Sequence, residues 1–250
     1  MRPARALLAA LAAAQVAYGR GGRPRGPAAT RALVGLMLAA SATEAVEARG
    51  ARRGALPLAA AGGLGFAAEL AGVATGRPFG RYTYSDKLGP RVGGVPLLAA
   101  AAWAMMARPA WVTAGLLDRR RALRIPVAAG ALAAWDVFLD PRMARDGYWT
   151  WPGGGRYEGV PASNFLGWWL TGLGVFAVWA LLDPDDEPAA DGDGALALYT
   201  WTWVGETVAN AALWRRPRVA AAGAAAMGAF AVPALLRRLR PGSTDPRGRA

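Results

Sequence analysis

Eight apolar stretches, each roughly one membrane thickness long as a helix, alternate with short charged tracts and dictate what this chain can fold into. They lie at about Arg5–Tyr18, Thr30–Glu47, Ala55–Gly76, Val92–Met106, Ile125–Leu139, Asn164–Leu182, Ala195–Trp214 and Val219–Leu236. A further piece, Ala110–Leu117, follows Pro109 and extends the fourth span or lies at the interface. A soluble Ala-rich bundle would carry a charged stripe along each helix. Here Ala195–Trp214 has a single ionised residue and Asn164–Leu182 has none. The pattern predicts an all-α, polytopic integral membrane bundle of seven or eight transmembrane helices, multi-pass in a bacterial cytoplasmic membrane.

Charge and missing residue types narrow the chemistry. The net charge of +12 comes from 28 Arg and one Lys scattered through the loops, which suits the bilayer surface and argues against nucleic acid as a partner. With Arg108 left out, these cations divide 14 against 14 between the two sides, so they set no orientation. The loop Asp183–Gly194 has no basic residue, leans outward and reads as a solvated linker. There is no Cys and no His, which excludes disulfides, thiolate nucleophiles and the commonest base and metal ligand. No metal or cofactor is expected.

The N-terminal residues 1–29 combine a basic start, a short apolar core and an Arg-rich tract. They fit a signal-like segment or a short first span, and the uncleaved span is the reading taken. Residues 30–236 form the membrane domain, and residues 237–250 read as a disordered basic tail.

Six acids fall within or at the ends of spans: Glu44, Glu47, Glu69, Asp136, Asp140 and Glu206. A carboxylate at mid-membrane costs roughly 2.5–3.5 kcal/mol, so such groups face a partner or a cavity and mark function. Glu44 and Glu47 are three apart, and Asp136 and Asp140 are four apart, so each pair shares a helix face. Glu206 has Asn210 four residues on. Beside Arg49, Glu47 is expected to form an interfacial ion pair, and Asp140, before Pro141, could equally satisfy backbone groups at a helix end.

Aromatic residues surround the aspartates. Trp135, Tyr148, Trp149, Trp151, Tyr157, Trp168 and Trp169 form an interfacial belt or, for a few, line a ligand pocket. The run Tyr82-Thr83-Tyr84-Ser85-Asp86 reads as helix start plus anchoring tyrosines, or as part of a site. Ser163 or Asn164 is expected to cap the sixth span, and the glycines around Ala61–Gly65 and Gly72–Gly76 read as ordinary helix packing.

Three blocks, "PFGRYTYSDKLGPRVGGVPLLAAAAWAMM", "WDVFLDPRMARDGYWTW" and "GRYEGVPASNFLGWWLTG", resemble the integral-membrane carotenoid biosynthesis family that includes the CruF-type carotenoid 1′,2′-hydratases and bisanhydrobacterioruberin hydratase. The resemblance runs from about Thr30 to Leu236. It implies cofactor-independent addition of water to the terminal C=C of an acyclic carotenoid, lycopene- or bisanhydrobacterioruberin-like, giving a tertiary alcohol. Other carotenoid enzymes are candidate partners.

That reaction needs a carboxylic acid that keeps its proton near neutral pH, as apolar burial and a neighbouring acid both favour. Asp136 is the expected acid and Asp140 its tuning or water-positioning partner, with Glu69 and Glu206 as the alternative catalytic pair. Trp135, Tyr82, Tyr84, Trp149, Trp151, Asn164 and Asn210 are the expected substrate-binding residues. Two rivals stand beside this reading. An intramembrane prenyltransferase of the lycopene elongase kind would need two acidic clusters for Mg²⁺-diphosphate. A proton or solute transporter would use the same acids.

Overall fold

The structure, a computed structural model, describes residues 2–21, 26–183 and 192–240. The acidic residues 184–191, residues 22–25 of the Arg-rich tract and the tail from 241 lie outside the described residues.

Among the described residues there are seven α-helices: α1 (Pro3–Arg20), α2 (Pro27–Thr75), α3 (Leu98–Leu117), α4 (Arg121–Arg145), α5 (Ala162–Leu182), α6 (Asp193–Val208) and α7 (Pro217–Leu239). Prolines open α1, α2 and α7, where the missing N–H costs nothing. The 49-residue α2 breaks at Gly50, whose φ of 76° lies in the left-handed region that glycine enters freely. A Cβ on Gly54 would lie 2.6 Å from the Ala45 carbonyl, so the chain doubles back there into two rods side by side.

Four helices, α2, α4, α5 and α7, are long and apolar enough to cross a bilayer. The protein is a helical membrane protein, but the expectation of seven or eight such spans is not met. Helix α6 stops after 16 residues, where Ala209–Leu213 continue as a π-helical turn. Arg108 and Pro109 interrupt the apolar run of α3, and α1 carries Arg5 and Gln15.

The burial pattern suits lipid. Leu166 and Leu170, one turn apart on α5, are exposed, as are Val204, Val208, Val232 and Leu236 on α6 and α7. The buried interior instead holds Glu44, Glu69, Arg108, Asp136, Asp140 and Asn164. Apolar residues facing outward and charges facing inward is the distribution a bilayer imposes.

Two sets of contacts mark the ends of the bundle. At one end Ala4 N donates to Glu47 Oε1 at 2.8 Å, Arg49 grips Asp183 with two hydrogen bonds, and Arg238 holds Asp193. Glu47 thus receives a backbone N–H of α1 and not the expected arginine. At the other end Thr30 Oγ1 and Tyr148 Oη lie 2.7 Å apart, and Lys87 Nζ donates to Asp146 O. There β1 (Thr83–Tyr84) and β4 (Trp149–Thr150) pair antiparallel, Tyr84 opposite Trp149. A second small ladder joins β2 (Arg91–Val92) to β3 (Val95–Pro96).

Helix α4 runs six residues beyond the expected end at Leu139, through Pro141 to Arg145. Proline at 141 cannot donate to the Val137 carbonyl. Tyr157 Oη donates to that carbonyl at 3.0 Å in its place, so the helix continues. Asp140 therefore sits inside α4 and not at a helix end. Helix α5 begins after Pro161 without any side-chain cap, which corrects the expectation for Ser163 and Asn164. Ser85 caps only a short 3-10 turn, Asp86–Leu88, and α3 starts later, at Leu98.

Candidate functional site

Helical spacing alone puts Asp136 and Asp140 on one face of α4, and α5 answers that face with Asn164. The Asn164 side-chain nitrogen donates to Asp136 Oδ2 at 2.7 Å and also to Asp140 Oδ2. The two carboxyl groups interact with each other as well, and the Trp149 side chain reaches Asp140. Asp136 is completely buried, and its Oδ1 meets no protein donor among the described residues.

Glu69, from the second rod of α2, faces the same space. Tyr82 Oη donates to its Oε2, Tyr84 Oη donates to the same oxygen at 2.9 Å, and Trp103 Nε1 donates to Oε1 at 3.2 Å. Burial, and then the neighbouring Glu69 carboxylate, hold the Tyr82 and Tyr84 phenols well above the ordinary tyrosine range. Both remain neutral donors. Their inward aim corrects the reading of these tyrosines as interfacial anchors.

Together these groups enclose a chamber under the β1–β4 ladder. Glu69, Asp140 and Asn164 supply its polar lining, and Tyr82, Tyr84, Trp135, Trp149 and Trp151 are among its aromatic walls. Trp168 stacks on Trp103 with ring centroids 4.1 Å apart and 14° between planes, and meets Trp135 edge to face at 6.0 Å. Most of the suspected aromatic belt is thus buried: Trp135, Tyr148, Trp149, Trp151 and Trp168 all turn inward. The free space is about 60 Å³, several times the ~10–15 Å³ that one water needs. The branched end of a polyene is larger, and the flexible side chains of Met105 and Met143 in the lining can part to admit it.

Among the described residues, no Arg or Lys lines this chamber. The remaining acids are placed differently. Glu44 is bound by Arg108, through Nε to Oε2 and Nη2 to Oε1. Glu206 lies 3.6 Å from Arg142 and accepts from Asn210 at 3.3 Å. Neither Glu206 nor Asn210 reaches the chamber, so the structure does not bring Glu206 together with Glu69. Nor do Glu44 and Glu47 form a second acidic cluster, since each has its own partner.

Sequence reasoning did not single out Phe79 and Trp103 as site residues. Phe79 packs edge to face on Tyr82 at 6.2 Å. A Cβ on Gly65 would run into the Trp103 indole, and one on Gly72 would lie 2.8 Å from Tyr82 Oη. These glycines, expected to serve helix packing alone, make room for the chamber's aromatics. Glycines one or two turns from a buried acid were the signal available for that.

The family described as carotenoid biosynthesis protein matches residues 29–230, most of the chain. The chain belongs to the carotenoid biosynthesis protein family. Every residue of the chamber falls inside the matched region of this carotenoid biosynthesis protein. It is also similar to bisanhydrobacterioruberin hydratase of Haloarcula japonica, at 33% identity over 126 residues. That match covers 48% of this chain and 43% of the relative, so the chain spans under half the length of the curated protein it matches. No solved structure matches it.

Proposed function

We propose that this membrane protein is a multi-pass carotenoid hydratase that adds water across the terminal C=C of an acyclic carotenoid, lycopene- or bisanhydrobacterioruberin-like. The observation that carries the reading is the arginine-free chamber in which Asp136, Asp140 and Glu69 gather among stacked indoles. Elsewhere in the bundle Glu44, Asp183 and Glu206 each face an arginine. Acids left without a cation in an apolar enclosure are available for proton transfer.

Asp140 lines the chamber and Asp136 lies behind it, so Asp140 is assigned as the acid and Asp136 as its positioning partner. Two carboxyl groups that share one donor repel each other when both are ionised, and a proton on one relieves this. Asp140 gives its proton to the less substituted alkene carbon; the π pair forms the new C–H bond, and a tertiary cation remains on the other carbon. The faces of Trp103, Trp135 and Trp168 stabilise that cation. Water then bonds to the cationic carbon, and its proton returns to the carboxylate pair. Glu69, fixed by three donors, orients the water. The sum is substrate plus water, with no oxidant or reductant.

The test is expression in a host that makes lycopene or bisanhydrobacterioruberin, followed by mass analysis. The expected product is heavier by one water per reacted end. Unchanged carotenoid in a host whose membranes contain the folded protein would overturn the reading.

A further inference from the structure

A second, larger cavity opens at the same end of the bundle, outside the carboxylate chamber. It has about 330 Å³ of free space, and four of its lining residues are Arg142, Arg145, Arg215 and Arg216, against one carboxylate, Asp146. Two of the four guanidiniums are already engaged. Arg142 lies 3.6 Å from Glu206 and 4.0 Å from Asp146, and Arg216 binds Glu158 and the Pro141 carbonyl, each at 3.0 Å. Arg145 and Arg215 are exposed and have no salt bridge among the described residues.

The backbone holds Arg215 there at some cost. Its φ is 53°, a left-handed conformation that a side-chain-bearing residue adopts only where the surrounding structure imposes it. It follows the π-helical turn Ala209–Leu213, whose wide geometry recurs at functional sites. Arg142 packs over the Tyr18 and Trp214 rings, at 4.9 and 4.2 Å, and this holds the cationic floor in place.

We propose that this pocket binds a phosphate group, with Arg145 and Arg215 as its direct ligands and Arg142 and Arg216 as supporting charge. Several guanidiniums converging on one cavity match the multiple oxygens of phosphate better than a single carboxylate. At the end of a membrane bundle, flanked by Tyr18 and Trp214, such a group can come from a lipid headgroup or from free phosphate.

The experiment uses the whole protein in phospholipid-free detergent and reads its unfolding temperature. One arm adds inorganic phosphate against chloride of equal ionic strength, and the other adds phosphatidylglycerol against a phosphate-free galactosyl diacylglycerol. A rise in the phosphate arm alone supports a free-phosphate site, a rise in the lipid arm alone supports a headgroup site, and a rise in both supports recognition of the phosphate they share. In the R145A/R215G double variant the same rise requires about tenfold more ligand. Glycine relieves the positive φ at 215, so folding is retained; should the pair still misfold, R145Q alone carries the test. No rise in either arm, or an equal rise in the variants, would overturn the proposal.

Discussion

Asn164 on α5 and Asp136 on α4 meet through a 2.7 Å hydrogen bond, and the same amide nitrogen also holds Asp140. One neutral donor thus serves two carboxyl groups, whose charge no cation in the chamber offsets. A hydrogen-bonded carboxyl pair fixed in this way keeps its geometry while a proton moves on and off it.

Replacing Asp140 with Asn removes the proton donor and keeps the shape. The yield of hydrated carotenoid is expected to fall by about 10²-fold or more, with the protein still in the membrane at normal abundance. Asp136→Asn, acting behind it, causes a smaller loss. Product analysis of both variants in the same host checks the ordering; equal yield from D140N and the parent would remove Asp140 from the mechanism.

Glu69 and Glu206 are both buried or half-buried acids within helices, yet their surroundings separate them. Glu69→Gln keeps an acceptor for Trp103 and is expected to cost no more than about 1 kcal/mol in stability while lowering product yield severely. Glu206→Gln, which touches only the contacts to Arg142 and Asn210 outside the chamber, leaves yield unchanged. Side-by-side assays distinguish the two, and a reversed order would place the chemistry at the Arg142 side.

The fit between Gly65 and Trp103 leaves no room for a methyl group. Gly65→Ala is expected to destabilise the protein by about 1–3 kcal/mol, visible as a lower unfolding temperature in detergent. It also displaces the indole that stacks on Trp168, so activity falls with it.

The Glu44–Arg108 pair is structural, and its energetics follow from burial: both side chains are nearly inaccessible. Arg108→Met leaves a buried carboxylate without its main cation and is expected to cost about 3–5 kcal/mol, while adding Glu44→Leu recovers much of that loss. A double-mutant cycle on unfolding measures the coupling; additive effects would show that the pair contributes nothing jointly.

Much of this was legible in the chain itself. Each apolar stretch is largely helical, because a bilayer-length apolar run satisfies its backbone by coiling on itself, except that Val92–Pro96 of the fourth forms a small ladder and its helix begins at Leu98. The four-residue spacing of Asp136 and Asp140 placed both on one face, and the block around Tyr82 and Tyr84 supplies lining of the chamber. The same periodicity misled for Glu206 and Asn210. They do share a helix face, but helical spacing does not say which neighbour that face meets, and theirs meets Arg142. Arg108 was set apart from the loop cations but given no partner, although an arginine inside an apolar run requires a buried anion, which Glu44 supplies.

The sequence by itself determined the helical class, the absence of histidine and thiol chemistry, and the family. Tertiary structure alone decided which acids face arginines and which face indoles. It also decided that Asp140 lines the chamber while Asp136 lies behind it, and that Gly50 turns one apolar run into two rods. The physical reason is one of range: coiling and side-chain facing are local consequences of composition and spacing, whereas partner choice depends on how rods far apart in the chain pack against one another.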